Sequence, residues 1–218
     1  MNGIGASPER VDAVAKVTGR AAYLANARFE GVVHAGIVRS TRPHAVIRRI
    51  ATDAARQAPG VLAVVTGEDL TRLMPEPYWG PAVLDQSALA IGRVRHIGEP
   101  VAAVVAATPE QAEAAAALVD VDYDDLPAVF DPKQALAPGA PLIHEQVRPA
   151  RAFEDLSELR PAGGTNVNIH YRLRRGDVDQ ALATADVVVE DTYAYSRNQF
   201  CALEPHLAIA QVDAAGAI

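Results

Sequence analysis

Glu204 and His206 are the two residues of this sequence whose types and spacing most directly suggest chemistry. A carboxylate and an imidazole this close together could act as an acid/base couple or as two ligands of a metal ion. A structural zinc ion needs four converging ligands and a catalytic one needs three, whereas the other histidines are scattered along the chain. We therefore predict no metal site. We expect Glu204 to be a partly buried carboxylate that accepts hydrogen bonds from the backbone.

Cys201, the single cysteine of the chain, is a second candidate. Nucleophilic catalysis would require a neighbouring base that holds the thiol as a thiolate. The flanking Phe200 and Ala202 are apolar and favour a thiol packed among hydrophobic side chains. One cysteine also excludes an intrachain disulfide framework and a multi-cysteine zinc or iron–sulfur site within these residues. The sequence thus predicts a packed thiol at Cys201 and not a nucleophile.

Glu99 stands between Gly98 and Pro100, directly before an apolar run. Its carboxylate could face a substrate channel or a cofactor, or it could satisfy backbone amides within a turn. We favour the turn, because turn geometry alone accounts for these residue types. The isolated His44 and His96 are likewise expected to be hydrogen-bonding turn residues and not catalysts.

Two β–α–β segments should position the residues of the first half of the chain. In chain order they are a strand at 32–38, a helix at 54–57 and a strand at 61–66, then a strand at 101–106, a helix from Pro109 to about Leu118 and a strand at 119–123. Thr108 and Gln111 have the spacing of a capping box at the start of the second helix. The proline-containing stretch 67–93 is expected to be an irregular connection.

The second half of the chain predicts a linker and then a new domain. Residues 127–164 are rich in proline, alanine and charge and are typical of a linker or surface excursion. The elements expected beyond it are a strand at 167–173, a short helix after Gly176-Asp177, strands at 187–195 and 207–212, and a turn at 213–216. Ala217 would begin the partner strand of a hairpin, which indicates a fragment of a longer polypeptide.

Composition excludes several classes of function. The net charge of −7 gives no general attraction to phosphate backbones or anionic lipids, so neither nucleic acid nor a membrane is expected as a partner. No apolar run approaches the roughly 20 residues that span a bilayer, and the first residues do not form a secretory signal. A cytoplasmic location is the expectation.

A collinear series of short motifs identifies a family. In order, these motifs are Arg10-Val11-Asp12, Lys16-Val17-Thr18-Gly19, Tyr23, Arg39-Ser40, Pro43-His44-Ala45, Pro59-Gly60-Val61, Thr66 with Glu68-Asp69-Leu70, Val94 to Ala102, Val121-Asp122-Tyr123 with Leu126-Pro127, Gly176-Asp177, Ala185 to Glu190 and Leu203-Glu204-Pro205. The series resembles the N-terminal portion of the molybdopterin-binding large subunit of the xanthine dehydrogenase and aldehyde oxidase family. The resemblance extends from about Ile4 to Val212.

The resemblance implies an α/β (α+β) fold in two parts. It places an α/β hammerhead domain at 16–127, a linker at 128–164, and the truncated beginning of the first molybdenum-cofactor-binding domain at 165–218. It implies that Glu204 is partly buried and shapes the wall near the cofactor in the complete enzyme. It also implies that the catalytic base lies further toward the C-terminus, so no catalytic residue is expected in this chain. The family usually has a histidine four residues before that glutamate, where this chain has Phe200.

For the complete enzyme, the resemblance implies oxidative hydroxylation of an aldehyde or an N-heterocycle, with oxygen from water. Molybdopterin would be held by the complete subunit and not by this chain alone, while FAD and 2Fe-2S clusters would lie on partner subunits or domains. The implied partners are the C-terminal remainder of the subunit, the iron–sulfur and FAD subunits, and a small-molecule substrate.

Two functions are therefore expected from the sequence. The first is an N-terminal fragment of a molybdenum hydroxylase subunit, inactive alone. The alternative is a non-catalytic assembly or ligand-binding module that retains the scaffold. The first predicts further coding sequence downstream, and the second predicts a stable, monodisperse protein when the chain is expressed by itself.

Overall fold

The computed structural model describes residues 5–81, 83–146, 164–168, 170, 173–202, 204, 206–213 and 215–216. The chain divides into two compact units. One unit is Val32–Ala183, and the other combines Met1–Gly31 with Thr184–Ile218. The larger unit contains both of the three-stranded sheets described below.

The elements of the larger unit alternate between strands and short helices. They are β1 (His34–Arg39), β2 (Ala45–Ala51), α1 (Asp53–Arg56), β3 (Val61–Thr66), α2 (Gly67–Leu73), β4 (Tyr78–Trp79), β5 (Gln86–Ser87), β6 (Arg93–Val94), β7 (Pro100–Ala106), α3 (Pro109–Ala116), β8 (Asp120–Asp125), α4 (Pro132–Ala135) and α5 (Val178–Ala183). The mixture of helix and sheet agrees with the α/β (α+β) class expected from the sequence.

The first sheet has the strand order β1-β7-β3, with β7 antiparallel to both neighbours. Helices α1 and α3 cover one face of it, where Ala55, Val64, Val104 and Ala115 form a buried cluster. Gly36 in β1 allows α3 to approach closely, since an added Cβ atom would lie 2.4 Å from the carbonyl oxygen of Ala112. The contact between this helix and the sheet therefore depends on a residue without a side chain.

The second sheet has the order β6-β2-β8, and its inner face packs around Ala45, Ala90, Val94 and Val101. Its outer face is charged. Asp122 of β8 accepts from Arg49 of β2 at 2.9 Å, and Asp124 pairs with Arg48. A register shift between Ile47 and Arg49 lets both consecutive arginines reach β8 carboxylates.

A capping box begins helix α2. The Thr66 amide donates to Asp69 Oδ2 at 2.8 Å, and the Thr66 hydroxyl donates to the same oxygen at 2.9 Å. The reciprocal capping contact is also present. These hydrogen bonds, the backbone one first, together with the nearby Arg72 guanidinium, hold the pKa of Asp69 below its usual range.

The hydrogen bonds between Thr66 and the Asp69 carboxylate should make part of the protein's stability depend on pH. Because folding lowers the pKa of this carboxyl, its contribution is present above about pH 4, the unfolded value, and is lost as the pH falls through the folded pKa. We expect Asp69→Asn to reduce the free energy of unfolding by about 1 kcal/mol at pH 7. Urea denaturation should show the gap between variant and wild type narrowing below pH 4. Glu68→Gln, in the same helical turn, is the control, and an equal loss in both variants would contradict the assignment.

Most of the elements expected in 32–125 are present, with three corrections. The stretch 67–93 is not irregular throughout, because it contains α2 and the short strands β4, β5 and β6. Strand β2 was not expected at all. The second β–α–β segment does not lie in one sheet, since β7 and β8 belong to different sheets. Helix α4 also lies within the stretch expected to be a linker.

The smaller unit differs from expectation in its C-terminal part. At its N-terminal end it contains a helix at Ala13–Val17 and a 3-10 turn at Leu24–Asn26. The strands expected at 187–195 and 207–212 are absent: these residues are exposed and lie in no strand. A strand requires a partner for its backbone groups, and no described residue of 184–216 lies in a strand that could supply one. The strand expected at 167–173 falls partly outside the described residues, and Ala217 lies outside them.

Candidate functional site

The larger unit contains a cleft of about 530 Å³ beside strand β6. Its apolar wall includes Val46, Leu84 and Ile91. The polar side chains that line it are those of Tyr78, Asp85, Arg93, Arg95, His144, Glu145 and Gln146. Polar side chains outnumber apolar ones in this lining, so the cleft is suited to a polar ligand and not to a hydrophobic one. Sequence reasoning did not identify this site, because its residues come from four separate stretches of the chain.

A relay of hydrogen bonds positions Arg95 in the cleft. The Arg95 Nε–H donates to the carbonyl oxygen of Ile143 at 3.0 Å. The amide of Ile143 donates in turn to Asn166 Oδ1 at 2.9 Å. Asn166 Nδ2 donates to the carbonyl oxygens of Ala135 at 3.0 Å and Pro141 at 2.9 Å. One amide side chain thus fixes the segment that forms one wall of the cleft.

Removing the Asn166 amide should loosen that wall. Asn166→Asp keeps the acceptor for Ile143 but turns a carboxylate toward two carbonyl oxygens, so we expect a loss of about 2 kcal/mol in the stability of the segment. Limited proteolysis should then cleave within 136–146 faster than in wild type. Asn168→Asp, two residues along the chain, is the control. Equal protection of the segment in Asn166→Asp and wild type would refute the role given to this side chain.

His144 is the half-buried titratable group of the cleft. Burial lowers its pKa, and the positive charge of Arg95 lowers it further, against the smaller opposing effects of Asp85 and Glu99. The ordinary pKa of histidine is about 6.5, and a lowered pKa leaves the imidazole predominantly neutral at pH 7. Arg93, which also lines the cleft, pairs with Glu145 at 3.2 Å. The cleft therefore presents two guanidinium groups and two carboxylates, those of Asp85 and Glu145, around a neutral ring.

Glu99 is a turn residue, as expected. Its carboxylate accepts a hydrogen bond from the backbone amide of Arg95. The same turn is tied to the end of β1, where the Ser40 amide donates to the carbonyl oxygen of Glu99 at 2.8 Å and the Gly98 amide donates to that of Ser40 at 2.8 Å. The prediction that Glu99 satisfies nearby amides is confirmed.

His44 is buried, with only 3% of its surface exposed. Its Nδ1 lies 2.7 Å from the carbonyl oxygen of Pro127, so the proton must be on Nδ1. Its own carbonyl oxygen accepts from the Leu126 amide at 2.9 Å. The expected hydrogen-bonding role is confirmed, although the residue joins two distant stretches and is not confined to its own turn. His96, by contrast, is exposed and contacts the carbonyl oxygen of Ile97.

The chemical candidates near the C-terminus are not gathered into a site among the described residues. Glu204 is exposed in this chain, like every described residue of 184–216, and its partial burial in a complete enzyme stays a prediction. Cys201 is also exposed and has a positive φ of 45°, so the expected packed thiol is wrong. Its neighbour Phe200 is 98% exposed and cannot cover it. Across the described part of the chain, no group of three or more potential ligand side chains could hold a metal ion.

Two family models match the chain, in the order expected. The model described as aldehyde oxidase and xanthine dehydrogenase, a/b hammerhead domain, matches residues 18–127. The model described as molybdopterin cofactor-binding domain matches residues 161–218. The chain belongs to the xanthine dehydrogenase and aldehyde oxidase family of molybdenum hydroxylases. Residues 32–127 of the hammerhead match belong to the larger unit, and residues 18–31 belong to the smaller one.

Curated relatives of this family member are molybdenum-binding subunits. The nicotinate dehydrogenase large molybdopterin subunit of Eubacterium barkeri is 31% identical over 98% of the chain and 45% of its own length. The xanthine dehydrogenase molybdenum-binding subunit of Escherichia coli O157:H7 is 34% identical over 94% of the chain and 26% of its own length. The chain therefore spans less than half the length of these relatives.

Solved structures of the family share its fold. CO dehydrogenase from Oligotropha carboxidovorans matches 63% of the chain and 17% of its own chain, with 36% identity and a TM-score of 0.57. Quinoline 2-oxidoreductase from Pseudomonas putida 86 matches 64% of the chain and 18% of its own chain, with 35% identity and a TM-score of 0.56. In both proteins the matched region is a small part of a much longer polypeptide.

The described residues 173–216 do not by themselves enclose a bound pterin. A pterin site needs buried donors and acceptors directed at the ring. Every described residue from 173 to 216 is exposed.

The helices of the described part of the chain are too short or too polar to span a membrane.

Proposed function

We propose that this chain forms the N-terminal scaffold of a molybdenum hydroxylase large subunit and is inactive by itself. In this proposal 16–127 is the hammerhead domain, 128–164 is a linker and 165–218 begins the first molybdenum-cofactor-binding domain. The observation that carries the proposal is the pair of family matches, hammerhead at 18–127 and cofactor domain at 161–218, in one collinear chain. The relatives' greater length supports the need for more polypeptide.

The complete enzyme would oxidise an aldehyde or an N-heterocycle, with water as the oxygen source. The molybdenum cofactor would supply the redox chemistry, and FAD and 2Fe-2S partners would accept the electrons. The role of this chain in the enzyme would be structural. The His44–Pro127 hydrogen bond would fix the chain where it leaves the hammerhead domain, and the Asn166 hydrogen bonds would fix the cleft wall. A contribution of Glu204 to the wall near the cofactor, and a cytoplasmic location, belong to the same proposal.

Reconstitution tests this function. Residues 1–218 would be expressed alone and together with the source organism's polypeptide that carries the remainder of the large subunit, plus the iron–sulfur and FAD subunits. We expect bound molybdenum, measured by mass spectrometry, and turnover of an aldehyde or purine only in the combined sample. Turnover by residues 1–218 alone would overturn the proposal. If residues 1–218 are stable and monodisperse alone and do not bind the remainder of the large subunit, the result would instead support a non-catalytic binding module.

A further inference from the structure

The face of the β1-β7-β3 sheet that lies opposite its helices is apolar. The side chains of this face, hereafter the open face, are Ala35, Ile37, Ala63, Val65, Ala103 and Val105. The strand register aligns them in two rows, Ile37–Ala103–Val65 and Ala35–Val105–Ala63. None of the six carries a polar side chain. Arg39, the last exposed residue of β1, marks the end of the open face, and its guanidinium donates to the carbonyl oxygen of Gly98.

Burial separates the open face from the helix-covered one. On the covered side Val64 and Val104 are 3% and 0% exposed. On the open side Ile37 is 40% exposed, and Ala35 and Ala63 are exposed as well. Strand β7 therefore has apolar residues on both faces, a pattern typical of strands covered on both sides.

The second sheet shows what a solvent-facing surface looks like in this same molecule. Strand β8 alternates, with exposed Asp122 and Asp124 outside and partly buried Val121 and Tyr123 inside. The charged residues on its outer face pair with arginines of β2. The solvent-facing positions of this sheet thus carry charged side chains. We attribute the absence of charge at the six open-face positions to a second surface that covers them.

At one end the open face is already covered. Val101 lies on the same side of β7 as Ala103 and Val105, and it is 0% exposed within the core of the second sheet. Further along β7 on that side, Ala103 and Val105 are only partly buried by the described residues. A second surface seated next to that core would continue a contact that the chain itself begins.

We propose that the open face docks the remainder of the large molybdopterin subunit, an inference that rests on the function proposed above. The occupant is argued from length: the matched region makes up 45% and 26% of two relatives and 17% of a solved chain, so in them this fold is one part of a much larger polypeptide. The docking contact would be apolar and closely packed, because five of the six side chains are alanine or valine.

The first test measures binding of the full chain, residues 1–218, to the source organism's remainder polypeptide by isothermal titration calorimetry. Ile37→Asp should weaken binding by about 100-fold or more, because it buries an unpaired carboxylate in an apolar contact. Leu118→Asp is the matched control, since Leu118 is 49% exposed and follows the helix on the covered side. It should bind like wild type.

The second test does not depend on how well a charged variant folds. In a Cys201→Ser background, Ile37→Cys and Leu118→Cys would be labelled with a maleimide, with and without the remainder polypeptide. We expect the reaction at position 37 to be slower by about 10-fold or more in the complex, and the reaction at position 118 to be unchanged.

The outcomes separate this inference from the proposed function. If wild type does not bind the remainder, the proposed function fails. If wild type and Ile37→Asp bind equally and position 37 stays reactive in the complex, the function stands and the docking face is wrong. Light scattering adds a third result: a dimer of wild type that Ile37→Asp makes monomeric would show that a second copy covers the open face, and would overturn the inference.

Discussion

Gly36→Val is expected to destabilise the larger unit by about 3 kcal/mol, because the new side chain would meet the backbone of α3. Even a Cβ atom would lie 2.4 Å from the carbonyl oxygen of Ala112 and 3.3 Å from the Cβ of Ala116. A backbone carbonyl inside a helix cannot move aside as a flexible side chain can. The helix must therefore shift away from the sheet and open the cluster around Val104.

Urea denaturation followed by circular dichroism measures this effect. Ala35→Val, one residue earlier on the exposed side of the same strand, is the control and should change the free energy of unfolding by less than about 0.5 kcal/mol. Similar midpoints for Gly36→Val and Ala35→Val would show that α3 does not rest on Gly36.

His44→Ala should have the second largest effect, a loss of about 2–3 kcal/mol. It removes the partner of the Pro127 carbonyl oxygen and leaves space at a site that is only 3% exposed. We expect the chain near 127 to become sensitive to protease as well, since it would lose its side-chain bond to His44 and keep the Leu126–His44 backbone bond.

Two further variants separate the hydrogen bond from the packing. His44→Asn retains a donor and should restore part of the protection at 127. His44→Leu fills the space without a donor and should restore part of the stability but not the protection. Full protection in His44→Leu would mean that packing alone holds this stretch.

The elements that sequence reasoning identified have signals that are local in the chain. Strand β7 is a continuous apolar run, and α3 begins with Thr108 and proline, whose capping bond to the Gln111 amide forms as expected. Such features depend on neighbouring residues alone, so they can be read from the sequence.

Strand β2 could not be recognised in the same way. Its alternation is broken by Arg48 and Arg49, two charged residues in succession, which a regular strand would place on opposite faces. The register shift removes that conflict, but nothing in the local sequence indicates it. Helix α2 did carry a signal, because Thr66 and Asp69 have the spacing of an N-terminal cap before Leu70.

The cleft illustrates a different limit. Its walls join Val46, Tyr78, Arg95 and His144, and only the pairing of strands distant in sequence brings them together. The prediction of strands near the C-terminus was wrong for a related reason. Alternation in 187–195 leads to a strand only where another strand pairs with it. The family motifs identified the protein although they did not locate this cleft.

The aspartates of β8 have one more consequence, for self-association. Strand β8 lies at an edge of its sheet in the order β6-β2-β8, where unpaired backbone groups could recruit a strand from another molecule. Asp122, Asp124 and Asp125 carry ion pairs with Arg49, Arg48 and Arg42 along that edge strand. A strand from a second molecule would have to desolvate these charged groups, so this border resists growth into an extended fibrous sheet.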